Sequence, residues 1–158
     1  MERHDEAARK LFLEGCSCAQ AVLAAFAPEV GLSQEQALRL ASSFGGGMGG
    51  LRETCGAVSG MLMAVGLLYG YDDVENLALK RAHYARVRLL VERFREENGS
   101  ILCRELLAGA GQAAGEEPSA RTAAYYKKRP CAELVACAAR LLEDHMAEHP
   151  PVLKGFCG

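Results

Sequence analysis

Apolar residues recur at three- and four-residue intervals along nearly the whole chain, and no stretch alternates with period two. The pattern predicts helices and no sheet. A first helix is expected over about Glu2 to Glu14, with Ala7, Ala8, Leu11 and Phe12 on one face and Gly15 ending it. Ser17-Cys18-Ala19-Gln20 fits a capping box, with a hydroxyl at the cap and an amide three residues on. It opens a second helix through Ala21, Val22, Ala25 and Phe26, which Pro28 stops. Ser33 and Gln36 repeat the signature and open a third helix to about Ser43. FGGGMGG then reads as a loop, and Thr54 caps an uncharged apolar helix to about Tyr71. A long Arg- and Leu-rich helix follows over about Val74 to Glu97, terminated by Asn98-Gly99. Ser100 caps a short helix carrying Ile101, Leu102, Leu106 and Leu107. Gly109 to Ala120 reads as a surface connection, and Pro130 as the first residue of a last helix that runs to about His149. The expected fold is all-α: a compact single-domain bundle of about six or seven helices around a buried central one, residues 1–149, followed by a tail, residues 150–158.

The apolar segment from Thr54 to Tyr71 raises the question of a membrane span, and Gly56 and Gly60 have the spacing that lets helices approach closely. Four glycines, Ser59 and Thr54 fit the centre of a small helical protein better. The same glycine face is a candidate surface for a homo-oligomer. The chain has 158 residues, which suits one domain. With 18 basic and 20 acidic side chains the formal charge is −2, and aromatics make up 6%. Neither a nucleic-acid-binding surface nor a base-stacking platform is expected from such values. The amino terminus is charged from its second residue, so a secretory leader is not expected and a cytoplasmic location is.

The 7 cysteines change the picture. In a reducing compartment they are inert buried thiols, metal ligands or redox groups rather than a disulfide framework. Cys18 follows its cap Ser17, Cys55 follows Thr54, Cys103 lies three after Ser100, and Cys131 follows Pro130. All four fall in the first turn of an expected helix. Unpaired amide donors and the positive end of the helix dipole favour thiolate over thiol there. Lys127, Lys128 and Arg129 push Cys131 the same way. If the helix ends converge, they hold a cluster of activated sulfurs, with Cys55 beside the glycine loop expected to be the most reactive. Cys137 reads as a core packer, Cys16 as support or filler, and Cys157 as a tail residue. No Cys-x-x-Cys occurs, so spacing leaves a thiol–disulfide oxidoreductase-like pair and an iron–sulfur or zinc site on the same four cysteines both open. A helical interaction module with structural cysteines is the third alternative.

Taken in order, Cys18 in CAQAVL, FGGGMGG, TCGAVSGMLMAVGLLYG, FREENGSILCRELL and PCAELV resemble the C_GCAxxG_C_C family of redox-active proteins. The family motif stands here as Cys55-Gly56-Ala57-Val58-Ser59-Gly60, and its four cysteines match Cys18, Cys55, Cys103 and Cys131. The resemblance implies a small all-helical fold, redox chemistry at those cysteines, and a redox partner or a membrane transporter as partner. No Cys-x-x-Cys-His occurs, so c-type haem is not expected.

Other motifs weigh less. Gly45, Gly47 and Gly50 match G-x-G-x-x-G, but a helix precedes them where a dinucleotide site needs a strand. Gly46, Gly47 and Gly56 read equally as letting backbone amides approach a thiolate, a cluster sulfide or an anion, and as part of a plain tight loop between packed helices. His145 and Glu148-His149 match the pattern of inverted zinc peptidases, but the tail supplies no further acid. Arg52 and Glu53 precede Cys55 and read either as tuning it or, more simply, as a surface ion pair, and His4 carries no signal.

Overall fold

The computed structural model describes residues 2–108 and 114–152. Helix covers 69% of it and no strand occurs among the described residues. Six helices of eight residues or more carry the mass: α1 (His4–Leu13), α2 (Cys18–Ala25), α4 (Gln34–Ala41), α6 (Gly56–Tyr69), α7 (Leu77–Asn98) and α10 (Cys131–Glu148). Four shorter ones, α3 (Ala27–Val30), α5 (Gly45–Met48), α8 (Cys103–Leu106) and α9 (Ala123–Lys128), join them. The all-α expectation holds; of the short helices the sequence reading gave α8 and missed α3, α5 and α9. Pro28 does not simply stop α2; it sits in the first turn of α3, where its missing amide costs nothing. The hydroxyl of Thr122 caps α9 by accepting from the Tyr125 amide.

Both predicted capping boxes form. Ser17 and Gln20 exchange bonds at the start of α2, as do Ser33 and Gln36 at the start of α4. The expected central helix, α6, shares the middle of the molecule with α2, whose Ala19, Ala21, Val22, Leu23 and Ala24 are all buried. α2 packs against α1, α4, α6 and α10. The α2–α6 contact explains the glycine spacing. A Cβ on Gly60 would lie 2.5 Å from the Ala19 carbonyl oxygen, and one on Gly56 would lie 3.0 Å from the Ala19 nitrogen. The Gly56/Gly60 face is therefore filled within the chain by α2, and is not a surface offered to a second copy. Among the described residues no helix is long and apolar enough to cross a membrane.

α1 is tied down by His4, the residue without a sequence signal. Its ring stacks on Phe26 with centroids 4.2 Å apart, Nδ1 meets Glu143 at 2.8 Å and Nε2 meets Glu29 at 2.6 Å. Burial alone would lower its pKa, but the two carboxylates outweigh this and raise it. A raised folded-state pKa means the clamp is fully stabilising below the unfolded value and is lost as pH rises through the folded one. His4→Gln is expected to cost about 1–2 kcal/mol at about pH 6 and distinctly less at about pH 9, read by urea unfolding at both. An equal cost at the two pH values would refute the charged clamp.

Candidate functional site

The four helix-start cysteines meet because distant segments pair. Glu53 accepts from the Cys103 amide at 2.6 Å, and the Cys55 amide donates to the Ile101 carbonyl at 2.7 Å. This short antiparallel bridge, with Thr54 opposite Leu102, sets the start of α8 beside the start of α6. The glycine loop clasps the same segment: Gly46 and Gly47 carbonyls accept from the Arg52 and Glu53 amides at 3.0 and 2.9 Å. FGGGMGG is not an open loop but a tight helical turn with Gly46 and Gly47 in the left-handed region, at φ 64° and 69°. Cys18 and Cys131 arrive on the first residues of α2 and α10.

The caps differ from expectation in two places. Cys55, not Thr54, is the cap of α6, and the amides of Ala57 and Val58 lie where they favour its thiolate. Ser100 accepts from the Leu102 amide at 3.0 Å, and α8 begins only at Cys103.

Cys18, Cys55, Cys103 and Cys131 line one cavity of about 320 Å³. Gly45, Gly46, Gly47 and Gly56 form part of its wall, and Phe12, Leu106, Leu107 and Leu134 make another part apolar. All six described cysteines are free thiols. The Cys18 thiol is hydrogen-bonded to the Cys131 sulfur, and the bond polarises the pair. Cys18 keeps the proton, and this bond, then burial, raises its pKa well above the usual thiol range. As acceptor, Cys131 has its pKa lowered by the same bond; burial opposes this, and Arg129, Arg121 and Arg52 add to it. Its place at the start of α10 favours the anion as well.

The surroundings of Cys55 run against the expectation that it is the most reactive thiol. Burial pushes it up to about 12, which the amides of Ala57 and Val58 offset only in part. Cys137 packs against the edge of the core, as expected, but also carries polar contacts. It lies half-buried between α10 and α7, donating to Glu97 at 3.2 Å and accepting from Asn98 at 3.4 Å. Burial first, with Glu97 after, raises its pKa, while Asn98 lowers it. Cys16 lies in the turn before α2, raised chiefly by burial. Cys157 lies outside the described residues.

Three arginines face these sulfurs; the sequence reading named Arg52 and Arg129 and gave Arg121 no signal. Arg52 is not a surface residue paired with Glu53. It is 5% exposed, its Nη1 donates to Cys103 Sγ at 3.6 Å, and its Nε is buried without a partner. Its backbone is left-handed, φ 60°, an uncommon conformation for a side-chain-bearing residue that the clasping loop enforces. Glu53 pairs instead with Arg104 at 3.1 Å. Arg121 lies over Phe12 and Tyr125, 4.6 and 4.8 Å from the ring centroids, with its Nη1 buried and unpartnered. Arg129 lies 4.3 Å from the Tyr125 centroid.

The histidine pair near the end of α10 stands apart from the cavity. His145 Nε2 meets the Arg86 guanidinium at 2.5 Å, and burial, with Arg86 beside it, lowers its pKa to about 4. A neutral ring engaged by a guanidinium is not free to bind zinc through that nitrogen. Among the described residues no group of three or more His, Cys, Asp or Glu is arranged to hold a metal ion.

The chain is thus an all-helical protein with several cysteines gathered at helix starts around one cavity. The family described as "Putative redox-active protein (C_GCAxxG_C_C)" matches residues 16–145, and the chain belongs to it. No curated protein and no solved structure is detectably similar to the chain.

Proposed function

We propose that this chain is a dithiol–disulfide redox protein in which Cys131 attacks and Cys18 resolves. The observation that carries the reading is that Cys18 and Cys131 line one cavity together with Arg129, Arg121 and Arg52; the opposite pKa directions of the two thiols support it. A thiolate is the nucleophile of disulfide exchange, and a thiol held against it is placed to complete the exchange. The Cys131 thiolate attacks one sulfur of a substrate disulfide. A Cys131–substrate bond forms, the substrate disulfide breaks, and one thiolate leaves. That thiolate takes the Cys18 proton. Cys18, now a thiolate, attacks the Cys131 sulfur and displaces the second substrate thiolate. The protein is oxidised by two electrons to a Cys18–Cys131 disulfide and the substrate is reduced to two thiols, the second taking its proton from solvent. Cys55, held as a thiol, takes no part in the first exchange.

Mild oxidation of the reduced protein followed by peptide mapping tests this. The expected product links the peptides of Cys18 and Cys131, with loss of two thiols. Cys18→Ser is expected to stall as a mixed disulfide on Cys131. Oxidation that joins other cysteines, or stoichiometric iron or zinc in anaerobically purified protein, would refute the reading; the metal result would favour the alternative of a metal module on the same thiols.

A further inference from the structure

Resting on the exchange reading above, we propose that the cavity selects a low-molecular-weight disulfide that carries carboxylate groups. Three observations converge. First, three arginines line the cavity against one carboxylate, Glu116, at its wall. Second, two of the arginines hold donors in reserve: Arg52 Nε and Arg121 Nη1 are buried without a hydrogen-bond partner. A buried guanidinium donor left unpaired carries a desolvation cost that an anionic ligand would relieve. Third, the volume of about 320 Å³ is at the low end for organic ligands, far above what a bare inorganic anion fills. It is partly open to solvent, which gives a small molecule a way in. The apolar side, from Phe12 to Leu134, suits the methylenes of such a molecule.

The arrangement assigns distinct work to the two ends of the ligand. A carboxylate on Arg52 or Arg121 leaves the disulfide beside Cys131, whose backbone starts α10 on the same cavity wall. Arg129, stacked on Tyr125, is held in place by the ring and closes the positive side. Atoms and electrons balance as in the exchange above, with the carboxylate-bearing disulfide as the oxidant and its two thiols as products.

The test uses the full-length reduced protein and two readouts. The first is the rate of exchange with dithiodipropionate, an anionic disulfide, against hydroxyethyl disulfide, a neutral one, and cystamine, a cationic one. Each rate is divided by that of dithiothreitol with the same disulfide. The anionic-to-neutral ratio is expected to exceed the dithiothreitol reference by about tenfold or more. The second is calorimetric binding of suberate, a dicarboxylate with the same chain length and no sulfur, which is expected to weaken by about tenfold in Arg52→Gln. In that variant the rate ratio falls toward the reference. Arg129→Gln, at a half-buried position, reads the same effect if Arg52→Gln does not fold. Equal normalised rates for all three disulfides with no suberate binding would overturn the substrate inference and leave the exchange reading standing. No reaction with any disulfide would overturn both, whatever suberate does.

Discussion

Iodoacetamide given briefly to the reduced protein near neutral pH is expected to label Cys131 well ahead of Cys16, Cys18, Cys55 and Cys137. The reason is the thiolate fraction. An ordinary thiol is a few per cent ionised near neutrality, and alkylation runs through that fraction. Burial and hydrogen bonding hold Cys18 well above the ordinary range, and burial holds Cys55 at about 12, so both are almost wholly protonated. Cys131 moves the other way, first through the bond from Cys18 and then through its arginines. Its labelling is expected to exceed that of the four others by at least about tenfold. The pH profile separates the causes. The midpoint for Cys131 is expected below the usual thiol range, and Cys18→Ala, which removes the largest contribution, is expected to move it up. Arg129→Gln is expected to move it up by less. Labelling of Cys55 first, or a Cys131 midpoint that ignores Cys18, would show that the polarised pair does not exist in solution.

That ranking marks where the sequence stopped being legible. Each cysteine's place at a helix start follows from local signals within four residues, such as Ser17 with Gln20 for Cys18, and short-range signals survive folding. Which sulfur lies deepest depends on the whole packing. Cys55 looked most reactive beside a glycine loop, yet it is buried, and burial raises its pKa more than the nearby amides lower it. Arg52 was misread for the same reason. Next to Glu53 it reads as half of an ion pair, but the left-handed backbone at Arg52 turns the guanidinium inward and leaves Glu53 to Arg104. Arg121 follows a polar segment with no helical period, so nothing in the sequence marks its approach to Phe12, more than a hundred residues away along the chain.

The helices show the same division. Length and apolar period made α1, α2, α4, α6, α7 and α10 readable. The single-turn helices are too short to carry a period, and they are the ones that position the site: α5 clasps Arg52, and α8 delivers Cys103. The Gly56/Gly60 spacing was legible as a close-approach face, but its partner was not. A helix pairing inside the chain and one between copies leave the same imprint on the sequence, and only the Ala19 contact distinguishes them.

Gly47→Ala is expected to be among the most damaging single substitutions in the molecule. A Cβ there would lie 2.7 Å from the Cys103 Cβ, 2.7 Å from the Glu53 nitrogen and 2.9 Å from the Arg52 carbonyl carbon. Two of those three atoms are backbone, so the strain has no flexible side chain to move. The position is also left-handed, φ 69°, which costs an alanine about 1–2 kcal/mol before any contact is counted. With overpacking the loss is expected to reach about 3 kcal/mol, read as a lower urea midpoint. Two neighbours in kind separate the contributions. Gly49 is left-handed too, φ 57°, but its nearest atom lies 3.9 Å away, so Gly49→Ala is expected to cost the conformational part alone. Gly66 lies within α6 with nothing inside 4 Å, and Gly66→Ala is expected to stabilise by about 0.5–1 kcal/mol through helix propensity. The damage at Gly47 is local as well as global: relief of the overlap pushes Cys103 off the Glu53 carbonyl and away from Arg52. Should Gly47→Ala prove no more costly than Gly49→Ala, the packing of α8 against the glycine turn is looser than described, and the convergence of sulfurs at the cavity loses its mechanical support.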